Sequence, residues 1–195
     1  MANSGKLKVR GLVPDMPLIF EVNEFHFTAP SEHTLNNKVY DLEMQIVHSI
    51  NLEYIPGEEK LRQRKLIVSI LFEAKAGANN AFINSLNMPS LDFISSLEVN
   101  TFLVSLPNRY AFYEGSLSRP PCTENIYHFV YLDPQPISMQ QLNYFTLYYS
   151  GNSRMVQSLN NRPVVKVTKV IISGAPMNYH VFFSITIMLI FLLFV

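Results

Sequence analysis

Two segments of the sequence, residues 24–28 and 41–48, alternate between polar and apolar side chains with a period of two. This period predicts β-strands, in which successive side chains point to opposite faces of a sheet. Residues 30–37 between them are polar and turn-prone, so we expect the strands to pair antiparallel. One face of the pair would carry Glu24, His26, Thr28, Glu43, Gln45 and Val47. A mainly polar face inside an otherwise apolar sheet predicts a functional site.

The rest of the chain also favours a β-rich fold. Leu66–Glu73 is a continuous apolar run, which is typical of a central strand buried on both faces. Further strands are predicted at Lys6–Arg10, Leu18–Val22, Ile126–Leu132 and Val164–Ile172, with a loop followed by a strand in Ser90–Pro107. Short helices are predicted within Asn79–Leu91 and over Met139–Phe145, the second with Ser138 as its N-cap.

Length and charge limit the function. The chain has 195 residues, enough for one domain with a substantial core. Its 15 Lys and Arg residues balance 15 Asp and Glu residues, and no basic run is interleaved with aromatic residues. Nucleic-acid binding is therefore not expected.

Several motifs follow one another in a fixed order. Residues 25–28 read Phe-His-Phe-Thr, residues 31–34 Ser-Glu-His-Thr, and residues 43–48 Glu-Met-Gln-Ile-Val-His. Later come Tyr-Ala-Phe-Tyr-Glu-Gly-Ser-Leu-Ser-Arg-Pro-Pro at 110–121 and Asn-Asn-Arg-Pro at 160–163. Together they resemble the alpha-class carbonic anhydrases over residues 3–168. The resemblance implies a mainly β fold: a twisted, mostly antiparallel sheet with small peripheral helices, followed here by a C-terminal hydrophobic segment.

The resemblance also implies a zinc ion held by three histidines. Only His26 remains of these, because Thr28 and Gln45 stand at the other two ligand positions. A neutral hydroxyl and a neutral amide are poor zinc ligands. We therefore expect no zinc cofactor and assign no catalytic residue.

Other positions of the family's pocket are retained or altered. By resemblance, Glu32 and Ser118 match the carboxylate and hydroxyl that gate the zinc-bound hydroxide, and Val47, Arg119 and His128 line the substrate pocket. Simpler interpretations exist for each. His26 is then a core histidine hydrogen-bonded to a neighbour such as Gln45, and Glu32 supports the fold. Arg119 either binds an anion or, as we favour, reaches solvent.

The ends of the chain predict three segments: a domain at 1–168, a linker at 169–180, and a hydrophobic segment at 181–195. The last is short for a membrane span, which needs about 20 residues. It suits either a GPI signal, with a small-residue site at 173–175, or a retained anchor, better than a soluble helix. No secretory signal is visible. The resemblance implies that an N-terminal part is missing, and with it the disulfide partner of Cys122.

Two functions are therefore weighed. The first is an inactive, membrane-associated binding module at the cell surface or in the secretory pathway, whose protein or glycan partner the sequence does not name. The second is an active carbonic anhydrase with a weak zinc site.

Overall fold

The computed structural model describes residues 6–13, 16–51, 64–86, 102–103, 109–167 and 179–181. The strands are β1 (Lys6–Val13), β2 (Met16–Thr28), β3 (Thr34–Leu35), β4 (Lys38–Val39), β5 (Leu42–Ile50), β6 (Lys65–Ala74), β7 (Tyr110–Ser116), β8 (Glu124–Tyr131), β9 (Gln135–Ile137), β10 (Val165–Val167) and β11 (Tyr179–Val181). The helices are α1 (Ala81–Ser85) and α2 (Met139–Tyr149).

One twisted sheet dominates the described part of the chain, in the order β10-β7-β8-β6-β5-β2-β1-β11, with β9 also paired to β6. The pairs β2–β5, β5–β6 and β7–β8 are antiparallel, whereas β6–β8 and β1–β11 are parallel. A separate small hairpin, β3–β4, lies in the predicted turn region. The mainly β fold expected from the sequence is therefore confirmed, in a mixed sheet.

The strand β2 is longer than the sequence suggested. Leu18–Val22 and Glu24–Thr28 form one strand, because the register against β5 shifts between Val22 and Glu24. Such a bulge inserts one extra residue and resets which side chains face the core. The bulge therefore joins two segments of one strand in which the order of inward-facing and outward-facing side chains is shifted by one residue.

The apolar face of the sheet holds the main core. Phe27, Met44, Ile46 and Ile70 are buried there against the helix α2. The ring of Phe145 on α2 lies 4.5 Å from that of Phe27. The helix begins at the predicted N-cap Ser138, whose side chain accepts from the Gln141 amide while the Gln141 side chain accepts from the Ser138 amide. This packing fixes the opposite, polar face of β2 and β5.

Some predictions were incomplete. The strand β7 was not assigned from sequence, nor was the pairing of residues 179–181 with β1. The helix within Asn79–Leu91 ends at Ser85, and residues 87–91 lie outside the described residues. So do 3–5, most of 90–107, 168–178 and 182–195, which carry the predicted linker and most of the hydrophobic segment. Among the described residues, no helix is long and apolar enough to cross a membrane.

Candidate functional site

The polar face predicted from the alternating segments exists. His26 on β2 lies directly opposite Gln45 on β5, and Thr28 lies opposite Glu43. Residues directly opposite each other in an antiparallel pair present their side chains on the same face. The structure therefore brings His26, Thr28 and Gln45 together, as the sequence predicted.

Glu43 is the centre of the hydrogen-bond network on this face, and its side chain has no exposed surface. Its Oε2 accepts from the backbone amides of Glu32 at 2.9 Å and His33 at 2.8 Å. Its Oε1 accepts from His33 Nδ1 at 2.7 Å and from Gln45 Nε2 at 3.0 Å. Four donors therefore satisfy this buried carboxylate, which is what allows it to remain charged in the interior.

The charges of Glu43 and His33 support each other. Burial alone would raise the pKa of Glu43, but the charge and hydrogen bonds of His33 outweigh it, so this pKa is lowered. Burial likewise opposes the charged form of His33, but Glu43 raises its pKa. His33 Nε2 lies 2.6 Å from Tyr113 Oη on β7. The network therefore reaches across the sheet to a third element.

Gln45 is held by two carboxylates. Its Nε2 donates to Glu32 Oε2 at 2.8 Å as well as to Glu43. The other oxygen of Glu32 accepts from the backbone amide of Arg154 at 3.0 Å. The orientation of the Gln45 amide is thereby fixed, because its oxygen would repel both carboxylates. The expected hydrogen bond between Gln45 and His26 is not formed: both carboxylates engage the amide nitrogen, and His26 Nε2 has no partner among the described residues.

Three polar atoms beside Gln45 have no hydrogen-bond partner in the described part of the structure. They are His26 Nε2, Thr28 Oγ1 and Ser69 Oγ, the last on the β6 residue paired with Gln45, and all three are buried. Thr28 is fully buried and His26 is partly buried. An unpartnered buried polar atom costs free energy, so it requires a specific explanation. These atoms mark the part of the polar face at which a ligand could bind.

The turn after β7 lies over the same face of the sheet. Leu117 packs against the buried cluster of Val47, Ile67 and Ile126. Val47 lies two residues from Gln45 on the same face of β5. The turn also carries Ser118 and Arg119, and the positive charge of Arg119 acts on His26. Ser118, however, forms no hydrogen bond with Glu32, whose two oxygens accept from Gln45 and Arg154.

The sequence profile of the eukaryotic-type carbonic anhydrases matches residues 5–169, most of the chain. The chain belongs to the eukaryotic-type carbonic anhydrase family. A carbonic anhydrase of Klebsiella pneumoniae is 32% identical over 155 residues, covering 75% of this chain and 58% of that protein. Dioscorin DB3S of Dioscorea polystachya is 33% identical over 133 residues, covering 64% and 42%. The chain spans little more than half the length of the first curated carbonic anhydrases it matches.

Solved structures show the same fold. The halotolerant carbonic anhydrase from Dunaliella salina has a TM-score of 0.65 and 25% identity, covering 86% of this chain and 72% of that one. A dioscorin complexed with ascorbate has a TM-score of 0.57 and 22% identity, covering 87% and 77%. The alpha-carbonic anhydrase fold expected from the motifs is therefore confirmed.

The electrostatics near His26 have opposing contributions. Burial is the main cause of its lowered pKa, followed by the positive charge of Arg119. The carboxylates of Glu32, Glu24 and Glu43 act in the opposite direction. Arg119 itself is exposed, as the sequence analysis favoured, but its charge still acts on the site.

His128 lies on the same face of the sheet as Val47, and its ring centroid is 5.8 Å from that of His33. It is buried on β8, separated from β2 by β6 and β5. Its ring stacks on Tyr113 with centroids 4.6 Å apart, and its Nε2 donates to the Ser116 carbonyl at 3.1 Å. Burial lowers the pKa of His128 to about 3, with a further contribution from the His33 charge. Among the described residues, His128 and His26 do not belong to any group of three His, Cys, Asp or Glu side chains that could hold a metal ion.

Sequence reasoning missed two members of the network. Glu43 lies in the quoted motif of residues 43–48 and alternates with Gln45, so its position on the polar face was predicted but its central role was not. Tyr113 lies in the quoted motif of residues 110–121, but its hydrogen bond with His33 joins residues 80 positions apart in the chain. No local pattern could reveal such a contact.

Proposed function

We propose that this chain is a carbonic anhydrase-related binding module that does not hydrate carbon dioxide. The observation that carries the proposal is the side chain of Gln45, whose amide nitrogen donates to Glu32 and Glu43. Its oxygen is then the only amide atom with lone pairs left to offer a metal ion. The site would present one imidazole, one hydroxyl and one amide oxygen: His26, Thr28 and Gln45.

This donor set does not fit zinc. Zinc sites in proteins are built from imidazole, thiolate and carboxylate ligands, and catalytic sites use three of them plus water. Neutral oxygens suit harder cations better. The described residues contain no group of three His, Cys, Asp or Glu side chains that could hold a metal ion. Without the metal, nothing at the site lowers the pKa of water enough to supply hydroxide at neutral pH.

We further propose that the module is displayed on a membrane of the cell surface or the secretory pathway. Support comes from the sequence alone, in the apolar run of residues 181–195. The choice between a GPI signal and a retained anchor stays open. Release of the protein from cells by a phosphatidylinositol-specific phospholipase would identify the first.

An active carbonic anhydrase is the competing function. The 32% identity to a protein named carbonic anhydrase favours it, as does the charged, fully hydrogen-bonded Glu43 beside the site. A stopped-flow assay of carbon dioxide hydration, with added zinc, separates the two. We expect the full-length chain to give only the buffer rate.

The matched variant for this assay is Thr28→His combined with Gln45→His. It supplies three imidazoles, with Glu43 available to hold the new ring at position 45. We expect this variant to bind zinc and to gain activity above that of the parent. Turnover by the parent that a zinc chelator abolishes would establish the competing function.

A further inference from the structure

Two side chains of β2 at this site, Thr28 and His26, carry unpartnered polar atoms. Thr28 Oγ1 is fully buried, and His26, which carries the buried Nε2, lies two residues earlier on the same face of β2. Neither atom has a partner in the described part of the chain, although Glu43 lies directly across the strands from Thr28. A ligand that accepts hydrogen bonds from both would remove the cost of leaving them unpaired.

The turn of residues 117–123 carries the positive charge of Arg119, which acts on His26. Its ends are joined by the Leu117 amide and the Thr123 carbonyl at 2.9 Å, and the Cys122 amide donates to the Arg119 carbonyl at 2.9 Å. Leu117 anchors the turn on the buried cluster that contains Val47. The guanidinium of Arg119 makes no ion pair or hydrogen bond with any other described residue, so its five donors are free for a ligand.

We propose that Arg119, His26 and Thr28 form a metal-independent binding site for a small monocarboxylate. The planar guanidinium matches a carboxylate in two parallel hydrogen bonds. The hydroxyl of Thr28 and the imidazole of His26 donate to the same group from the sheet. The inference rests on the proposed function, because a zinc ion on His26 would occupy the imidazole nitrogen that the carboxylate needs.

The surrounding carboxylates select a single negative charge. The negative charges of three carboxylates raise the pKa of His26, whereas the positive charge of Arg119 lowers it. The carboxylates are those of Glu24, Glu32 and Glu43. Glu43 and Glu32 are engaged by donors of their own, but their charge still repels an anion. Three carboxylates and one guanidinium give a net negative field, so a dianion such as sulfate meets about twice the net repulsion that acetate does, and acetate binding depends on its hydrogen bonds to Arg119, His26 and Thr28. The site therefore prefers acetate to sulfate.

The test is a titration of the chelator-treated full chain with sodium acetate, followed by amide chemical shifts of residues 26–28 and 117–119. We expect saturable shifts in both segments and at least tenfold weaker binding of sodium sulfate. Arg119→Ala should weaken acetate binding at least tenfold, and Thr28→Val, which keeps the shape and removes the hydroxyl, at least threefold. Arg109→Ala is the matched control, since it removes a cation at the opposite end of β7 and should change nothing.

Each other outcome overturns the inference in a recognisable way. Equal binding of sulfate rejects the monocarboxylate, and unchanged binding in Arg119→Ala rejects the site. Binding that appears only when zinc is added shows a metal-bound anion, in which case the proposed function fails as well. No binding in a zinc-free, inactive protein rejects the ligand and leaves the proposed function standing.

Discussion

His33 Nδ1 lies 2.7 Å from Glu43 Oε1, a carboxylate oxygen on a side chain with no exposed surface. Since a carboxylate only accepts, the proton between them is on the histidine nitrogen, and His33 Nε2 is left to face Tyr113 Oη. This pair joins the turn after β2 to β5 and β7. The polar face is therefore held by a hydrogen-bond network among its own residues.

Replacing Glu43 tests how strongly this network stabilises the fold. Glu43→Gln puts an amide NH₂ group where two donors already point and removes the charge that pairs with His33. We expect a loss of about 3 kcal/mol in the free energy of unfolding, the range seen when one partner of a buried pair is removed. Urea denaturation at pH 7 measures it. Glu73→Gln, which affects an ion pair with Lys38 at the surface, should change little, and an equal effect of the two variants would contradict this account.

Gly115 tests the packing of the two stacked rings. A Cβ atom at this position would lie 2.8 Å from Tyr113 Cε2 and 3.1 Å from His128 Cδ2. Tyr113 cannot move away freely, because it bonds to His33 and stacks on His128. We expect Gly115→Ala to cost about 1–3 kcal/mol. When Tyr113 is already replaced by alanine, Gly115→Ala should reduce the free energy of unfolding by clearly less. If the effects of the two substitutions on the free energy of unfolding simply add, position 115 does not press on the Tyr113 ring.

Buried neutral histidines predict how stability depends on pH. Burial lowers the pKa of His48 to about 4 and that of His128 to about 3, whereas each is near 6.5 in the unfolded chain. The unfolded state therefore binds more protons below pH 6.5, so stability falls as pH decreases from 6.5 toward 4. The raised pKa of His33 acts in the opposite direction, since its contribution is complete below 6.5 and is lost as pH rises.

His26, His48 and His128 have lowered pKa values and His33 has a raised one, so we expect a net loss of about 2–4 kcal/mol in stability between pH 7 and pH 5. Urea titrations at both pH values measure this difference. His128→Phe keeps a ring against Tyr113 and removes one titrating group, so it should reduce the difference by about half. A pH dependence that this substitution does not alter would show that His128 is not buried in its neutral form.

Thr28 predicts a substitution that stabilises the protein. Its hydroxyl is fully buried without a partner in the described structure, whereas valine has the same shape and suits a strand. We expect Thr28→Val to raise the free energy of unfolding by about 1 kcal/mol in the absence of ligand. Acetate at saturating concentration should narrow the gap between the two proteins. A loss of stability in Thr28→Val would mean that the hydroxyl already has a partner.

Sequence patterns predicted the features that depend on local periodicity. The alternation around His26 and Gln45 placed both on one face, and Ser138 marked the start of α2 because capping is decided within one turn. The bulge at Val22–Glu24 was missed, since it depends on the partner strand β5. The role of Glu43 was missed for a similar reason, because its donors come from residues 32, 33 and 45. Long-range pairing, rather than residue type, decided those features.

The zinc content of the purified full-length chain, measured by elemental analysis after dialysis against zinc at pH 7.5, tests the central claim most directly. The donor set of His26, Thr28 and Gln45 predicts far less than one zinc per chain. Thr28→His with Gln45→His, treated in parallel, should approach one. Stoichiometric zinc in the unaltered chain, lost when His26 is replaced by alanine, would contradict the account.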